Sequence, residues 1–445
     1  MPPLASSPSQ PSDPPNTVGS LSMSIYSPDL SLRQPLTLAA ILPLLLSYHA
    51  LAVLTILPNT FVFKLLLLPF ILWQAWKCTI EVDCGVPLAQ FLGHQGTDRI
   101  AFWNFVFVVR FPRRWCLLVV ILLISRVQGS VFSTALKAIE WTFTKKPLRR
   151  YDPPKRNQDA PIERRLSAST IILDSIELLC NQRGYGWSWS QNPFPRESAP
   201  PSSKSLLLVK TLLKLTLFDA SQYIIQRFSP ATNNPKGGSI FDPNLTPVPR
   251  FALAAFCGVW GGIWTYAMVD PLYHVPATIT RIVFRQPASM WPRLFHWPWM
   301  STSIHELWSY RWHQLYRHLF IVFGSRPGGA LFGKPGAFMG AFIISAILHH
   351  IGVWGIGNGT EFLTTGGFFL LMGAGAVAEI TFAKATGSRV RGWVGWVWTM
   401  LWFALCGTFM IDGWARRGLF AAEILPSGFR PGKVVVETII ALTSK

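Results

Sequence analysis

The sequence predicts an all-α, polytopic membrane bundle of roughly seven to nine transmembrane helices, with interfacial helices added. Three observations carry this. Half of the 445 residues are hydrophobic and only 14% are charged, a composition of membrane proteins. Several uncharged runs are long enough to cross a hydrocarbon core of ~30 Å, which takes ~20 helical residues. The basic residues behind the net charge of +19 sit in short clusters between those runs, as in cytosolic loops, rather than along one soluble face. That distribution argues against a nucleic-acid partner, and the 20 tryptophans suit interfacial belts.

Residues 1–33 are rich in Pro and Ser, lack the early basic and short apolar regions of a secretory signal, and read as a disordered tail. Residues 34–144 form an N-terminal set of membrane segments. The first spanning segment lies in the uncharged run 34–63 and a second, 65–76, follows Pro58. Apolar pieces at 100–109 and 115–125 are split by Pro112, Arg110, Arg113 and Arg114. They read either as interfacial pieces or as halves of a bent crossing. The main membrane domain occupies 145–445, with its core at 165–415.

That domain opens with eight basic residues and four prolines between 145 and 165, a cytosolic loop. A helix over 167–181 places Ile172, Ile176 and Leu179 opposite Thr170, Asp174 and Glu177, and reads as interfacial. The apolar stretch 205–228 contains Lys210, Lys214 and Asp219, so it must face the protein interior if it spans. Residues 251–269 are uncharged and span, 281–334 are basic and cytosolic, and crossings at 336–357, 362–383 and 392–411 follow. Alternation of basic and basic-poor loops gives these one topology, from which Arg416 and Arg417 depart. The six cysteines show no metal-ligand spacing and read as structural. Gly373-Ala374-Gly375 begins a dinucleotide-like pattern but lies inside an apolar helix, where small residues serve helix packing.

Two constellations bear chemistry. The 26 positions between Lys334 and Glu361 are uncharged, yet contain His349 and His350. An ionisable group at that depth is costly unless paired or facing a wet cavity, so it marks a functional site. Helical neighbours point about 100° apart, so only one of the two lines a given cavity. Small residues at 340, 341, 345 and 346 permit close helix approach or leave room for a ligand. Upstream, Ser303 with Glu306 forms a capping box that starts a helix over 303–320. Trp308, Trp312, Leu315 and Leu319 line one side of it, and Tyr310, His313, Gln314 and Arg317 the other, with Arg311 between. As plain structure, these are an amphipathic connector and a buried, hydrogen-bonded histidine.

Taken together and in this order, the constellations resemble the membrane-bound O-acyltransferase superfamily, and within it the wax-synthase-like branch. The resemblance lies in Trp291-Pro292, then Ser303 and Trp308-Ser309-Tyr310-Arg311-Trp312-His313, then Ser345-Ala346-Ile347-Leu348-His349. The Arg183-Gly184-Tyr185-Gly186-Trp187 turn adds to it. The family's glycine before the histidine is Ala346 here, and His350 doubles the histidine.

The resemblance implies acyl-CoA-dependent esterification of a lipophilic alcohol, with acyl-CoA as co-substrate, no bound cofactor and no metal. The acyl group would be short, often acetyl, on a terpenoid-like secondary metabolite, or long on a fatty alcohol to give a wax ester. His349 would act as general base and His313 would orient the complex. Trp308, Arg311, Trp312, Arg317, Ser345 and His350 would contact the substrates, the arginines through coenzyme A phosphates. An endoplasmic reticulum location fits this chemistry. The alternative is a polytopic transporter or channel with an intramembrane histidine, but no paired repeats or broken helices in matching halves are evident.

Overall fold

Helices dominate because the apolar runs must satisfy their backbone hydrogen bonds internally. The computed structural model describes residues 33–83, 131–152, 162–181, 183–190, 204–283, 291–356, 359, 361–422, 424–425 and 428–444. The predicted tail at 1–32 and the split apolar pieces at 100–109 and 115–125 lie outside these residues. So do Cys84 and Cys116. Among the described residues, six helices are long and apolar enough to cross a membrane, and Cys78, Cys257 and Cys406 are buried and free.

An N-terminal layer is built from α1 (Leu38–Ile56), α2 (Phe61–Glu81), α3 (Val131–Phe143) and α4 (Ala168–Cys180). Tyr48 of α1 stacks on Trp141 of α3 with centroids 5.0 Å apart. Arg33 donates to the carbonyl of Gly355 at 2.6 Å, tying this layer to the helix that carries the histidines. The polar side of α4 does not face solvent. It turns inward: Asp174 and Glu177 are buried while Ile172 is exposed. The basic loop explains this, because Arg150 and Arg164 donate to Asp174 at 2.7 and 3.1 Å, and Trp187 donates to Glu177. Two carboxylates so paired cost less to bury than to leave beside hydrocarbon.

The second layer holds α5 (Lys204–Phe228), α6 (Pro247–Val283), a short α7 (Ile304–Glu306), α8 (Arg317–Phe320), α9 (Arg326–Ile356), α10 (Phe362–Thr386), α11 (Gly392–Ala415) and α12 (Pro431–Thr443). The charges in α5 face protein, as expected: Lys214 pairs with Asp270 of α6, and Asp219 with Arg430 just before α12. Arg416 and Arg417, which break the loop-charge alternation, are neutralised locally. Arg416 pairs with Asp412 at 2.6 Å and Arg417 with Glu361 at 3.3 Å.

The segment from α8 to α9 departs most from the expected cytosolic loop. The backbone breaks at Phe332 and Gly333, where Gly333 takes φ 62°. Residues 317–331 and 334–356 fold back on each other as an antiparallel helical hairpin. Its arms meet glycine to glycine: a Cβ on Gly340 would lie 2.2 Å from the Gly324 carbonyl, and one on Gly336 2.2 Å from that of Gly328. Each arm therefore carries a G-x-x-x-G pair, 324/328 and 336/340, that lets two backbones touch.

Candidate active site

The helix starting at Ser303 begins as the capping box predicts and ends sooner. Ser303 Oγ accepts from the Glu306 N–H at 3.0 Å, and Glu306 reaches back to the Thr302 N–H at 2.8 Å. The buried carboxylate of Glu379 caps the same turn from α10, accepting from the Ile304 and His305 N–H groups at 2.7 and 3.0 Å. A π-helical turn, Leu307–Arg311, follows, and the helix stops at Trp312. The Gln314 amide donates to the carbonyls of Trp308 and Trp312 at 3.2 and 2.7 Å, so the carbonyls orphaned by the break are satisfied by a side chain. This break, not foretold by the sequence, brings His313 to the cavity wall and lets the first hairpin arm begin at Arg317.

Between the 303–320 segment, the hairpin, α10 and α11 lies a cavity of about 290 Å³. Its walls include Trp308, Trp312, His313, Arg317, Ser345 and His349, six of the eight residues named from the sequence. Phe338, Ala341, Phe342, Ser345 and His349 line it at helical spacings of three and four along the second arm. At 1.5 Å per residue, the stretch from Phe338 to His349 is about 16 Å long. Phe368, Phe369 and Phe403 close the apolar side.

His349 is fixed from two directions. Its ring stacks on Phe369 with centroids 4.1 Å apart, and its Nδ1 lies 2.8 Å from the Ser345 carbonyl oxygen. A carbonyl only accepts, so Nδ1 carries the proton and Nε2 presents a lone pair. Among the described residues Nε2 has no hydrogen-bond partner. His350 points elsewhere: it is buried and meets Phe362 edge-on at 5.2 Å, off the cavity wall. The two histidines are thus distinguished by the angle between adjacent helical side chains.

Arg311 is also off the wall. Its Nε donates to Glu306 at 2.7 Å and its terminal nitrogen to the His296 carbonyl at 3.1 Å, which locks the Trp-rich stretch 291–300 onto the π-helical turn. Arg317 instead shares with Gln314 and Ile321 the boundary to a second, more polar cavity of about 350 Å³. Arg183, Tyr185, Trp189, Ser190 and His318 complete that vestibule. Arg183 lies over the Tyr185 ring at 4.6 Å, and His318 pairs with Glu140 at 2.5 Å. Among the described residues no group of acidic, histidine and cysteine side chains could hold a metal ion.

Residues 291–371 match the model of the membrane bound O-acyl transferase family, and both His313 and His349 fall inside the match. That segment is similar to the membrane-bound O-acyltransferase family. The chain is 24% identical over 289 residues to an O-mevalon transferase of Aspergillus niger, covering 56% of this chain and 63% of that one. It is 23% identical over 271 residues to an O-mevalon transferase of Penicillium terrestre, with 54% and 61% covered. An acetyltransferase of Hericium erinaceus is 23% identical over 171 residues, with 35% and 44% covered. The matched part therefore spans between 44% and 63% of these relatives' own lengths.

The residues missed by sequence reasoning are Phe369, His305 and His318. Each comes to a cavity wall through tertiary packing. The hairpin had a legible signal, the paired G-x-x-x-G spacings, which Arg326 and Lys334 obscured by interrupting the hydropathy.

Proposed function

We propose that the protein is an acyl-CoA-dependent O-acyltransferase that esterifies the hydroxyl of a lipophilic alcohol, with His349 as general base. The observation that carries this reading is His349 on the wall of a cavity that adjoins a vestibule with Arg183 and Arg317, its Nδ1 held by the Ser345 carbonyl so that Nε2 keeps the lone pair. An alcohol is a weak nucleophile until its proton leaves, and a neutral imidazole is suited to take it. Nε2 accepts the hydroxyl proton while the alcohol oxygen attacks the thioester carbonyl. The carbon–sulfur bond then breaks, and the coenzyme A thiolate leaves and recovers the proton from the imidazolium. No acyl-enzyme is required, because a thiolate is already a good leaving group.

Arg317 and Arg183 supply charge for coenzyme A phosphates, and Tyr185 and Trp189 supply aromatic faces for its base. His313, on the cavity wall, hydrogen-bonds the thioester region. Arg311, committed to Glu306, serves the fold in this reading. The cavity's volume supports a short acyl group, acetyl or similar, beside the alcohol. About 290 Å³ is at the lower end of ordinary ligand sites, which run ~300–1,000 Å³, and leaves little room for a second long chain. The names of the relatives agree with a small transferred group.

Microsomes containing the protein, given a donor series from acetyl- to palmitoyl-CoA and a panel of lipophilic alcohols, test this. Transfer is expected from the short donors. Transfer from palmitoyl-CoA alone would overturn the donor assignment, and no transfer from any donor would overturn the reaction.

A further inference from the structure

The catalytic reading uses only one end of the 290 Å³ cavity. The other end, about 16 Å along the second arm at 1.5 Å per residue, is formed by Phe338, Ser309 and His305. If the acyl group is short and enters beside Arg317, this length belongs to the acceptor alcohol. An acceptor that were hydrocarbon throughout would need only apolar walls there. Instead the wall ends in an imidazole.

His305 stands at the cavity mouth, exposed, with its ring packed on Phe338 at 4.9 Å. Its backbone N–H is spoken for by Glu379, yet its ring nitrogens have no hydrogen-bond partner among the described residues. The charged groups acting on the ring are Lys334, Arg389 and Glu306. Partial desolvation of the ring first, then the two cations, hold its pKa below the ordinary histidine value, while Glu306 opposes them. Glu306 is itself committed to Thr302 and Arg311, so the charge left for a ligand is positive.

We propose that this end is a recognition subsite for a second oxygen function on the acceptor, best an anionic one such as a carboxylate, and that His305 is its hydrogen-bond donor. The acceptor is then a bifunctional lipophilic molecule: a hydroxyl at His349, an apolar body along Phe338–Phe342–Ser345, and an oxygen anion at His305 beneath Lys334 and Arg389. The inference rests on the acyltransferase reading for the direction in which the acceptor lies, and it names what that acceptor carries.

The test uses the full chain in detergent micelles and two alcohols of equal length, ω-hydroxydodecanoic acid and dodecan-1-ol. Binding is read by quenching of tryptophan fluorescence, and turnover separately with labelled acetyl-CoA. The variants are His305→Phe, which keeps the ring packing on Phe338 and removes the N–H, and His349→Gln. The wild type is expected to favour the hydroxy acid over the alkanol by about tenfold or more, the worth of one hydrogen bond to a charged group. In His305→Phe that ratio should collapse while acetylation of dodecan-1-ol persists. In His349→Gln the ratio should persist while acetylation of both is lost. A ratio unchanged by His305→Phe, or no wild-type preference, overturns the subsite. A His305-dependent ratio in a protein that acetylates neither alcohol supports the subsite and counts against the acyltransferase reading.

Discussion

Replacing Gly340 with alanine puts a methyl group where the structure has a backbone carbonyl. The new Cβ would sit 2.2 Å from the Gly324 oxygen, and real Cβ atoms essentially never come closer than 3.0 Å to such a neighbour. The obstacle is backbone on both sides, so the clash cannot be relieved by a rotamer change. The arms must part by about 0.8 Å or slide. Overpacking of this kind costs about 1–3 kcal/mol, which a membrane bundle of this size tolerates. The functional effect is larger, because one arm carries Arg317 and Ile321 and the other Ser345 and His349. A displacement near 1 Å between reacting groups is worth about 10²-fold in rate. Gly340→Ala is therefore expected to fold, to lose a few degrees of apparent Tm, and to transfer acyl groups one to two orders of magnitude more slowly per folded molecule. Gly367→Ala is the control: its Cβ would meet nothing within 4 Å, and activity should be unchanged. Microsomal acetyl transfer, normalised to the folded fraction from size-exclusion chromatography, reads both. Full activity in Gly340→Ala would refute the claim that the glycine seam sets the position of His349.

Two further outcomes follow from paired charges. Asp219 accepts from Arg430, and from the Gly432 and Lys433 N–H groups at 2.8 and 3.1 Å, where α12 begins. Asp219→Ala should cost about 3–5 kcal/mol by removing the buried carboxylate that Arg430 and two backbone N–H groups share, and should expose the bond after Lys433 to trypsin. Cleavage no faster than in the wild type would contradict this latch. For Glu306, burial raises the carboxyl pKa, but the Thr302 N–H and Arg311 outweigh it and the net value lies below 4.5. A depressed carboxylate stabilises the fold above its unfolded pKa and loses that contribution as pH falls through the folded value. Apparent Tm should therefore drop on acidification below about pH 4.5, and drop less in Glu306→Gln. Parallel curves for the two proteins would dissociate Glu306 from acid stability.

The parts of this fold that sequence reveals are those governed by local chemistry. Uncharged length foretold the His349 helix, and Ser303 with Glu306 foretold the start of α7. The inward charges of α5 were legible because Lys214 and Asp219 have no acceptable place in hydrocarbon. What stayed hidden depends on partners distant in sequence. The helix after Ser303 stops at Trp312 because the Gln314 side chain and the His296 N–H, which donates to the Arg311 carbonyl, supply alternatives to helical bonds, and no stop signal is written there. The polar side of α4 turns inward because Arg150 and Arg164 arrive from a loop, which reverses the solvent logic of an amphipathic helix. Within the site, cavity-facing residues such as Ser345 and His349 were legible from helical spacing. Arg311 was not, since its charge looks the same in sequence whether it meets a phosphate or Glu306.

The central claim is that one of two adjacent histidines takes the acceptor's proton and the other does not. Single-turnover acetyl transfer from labelled acetyl-CoA, compared in wild type, His349→Gln and His350→Gln at matched folded protein, tests it most directly. General-base catalysis contributes about 10²–10⁴-fold, so His349→Gln should fall by that factor and His350→Gln should keep most of the wild-type rate. Wild-type rates in His349→Gln, or a greater loss in His350→Gln, would contradict the account.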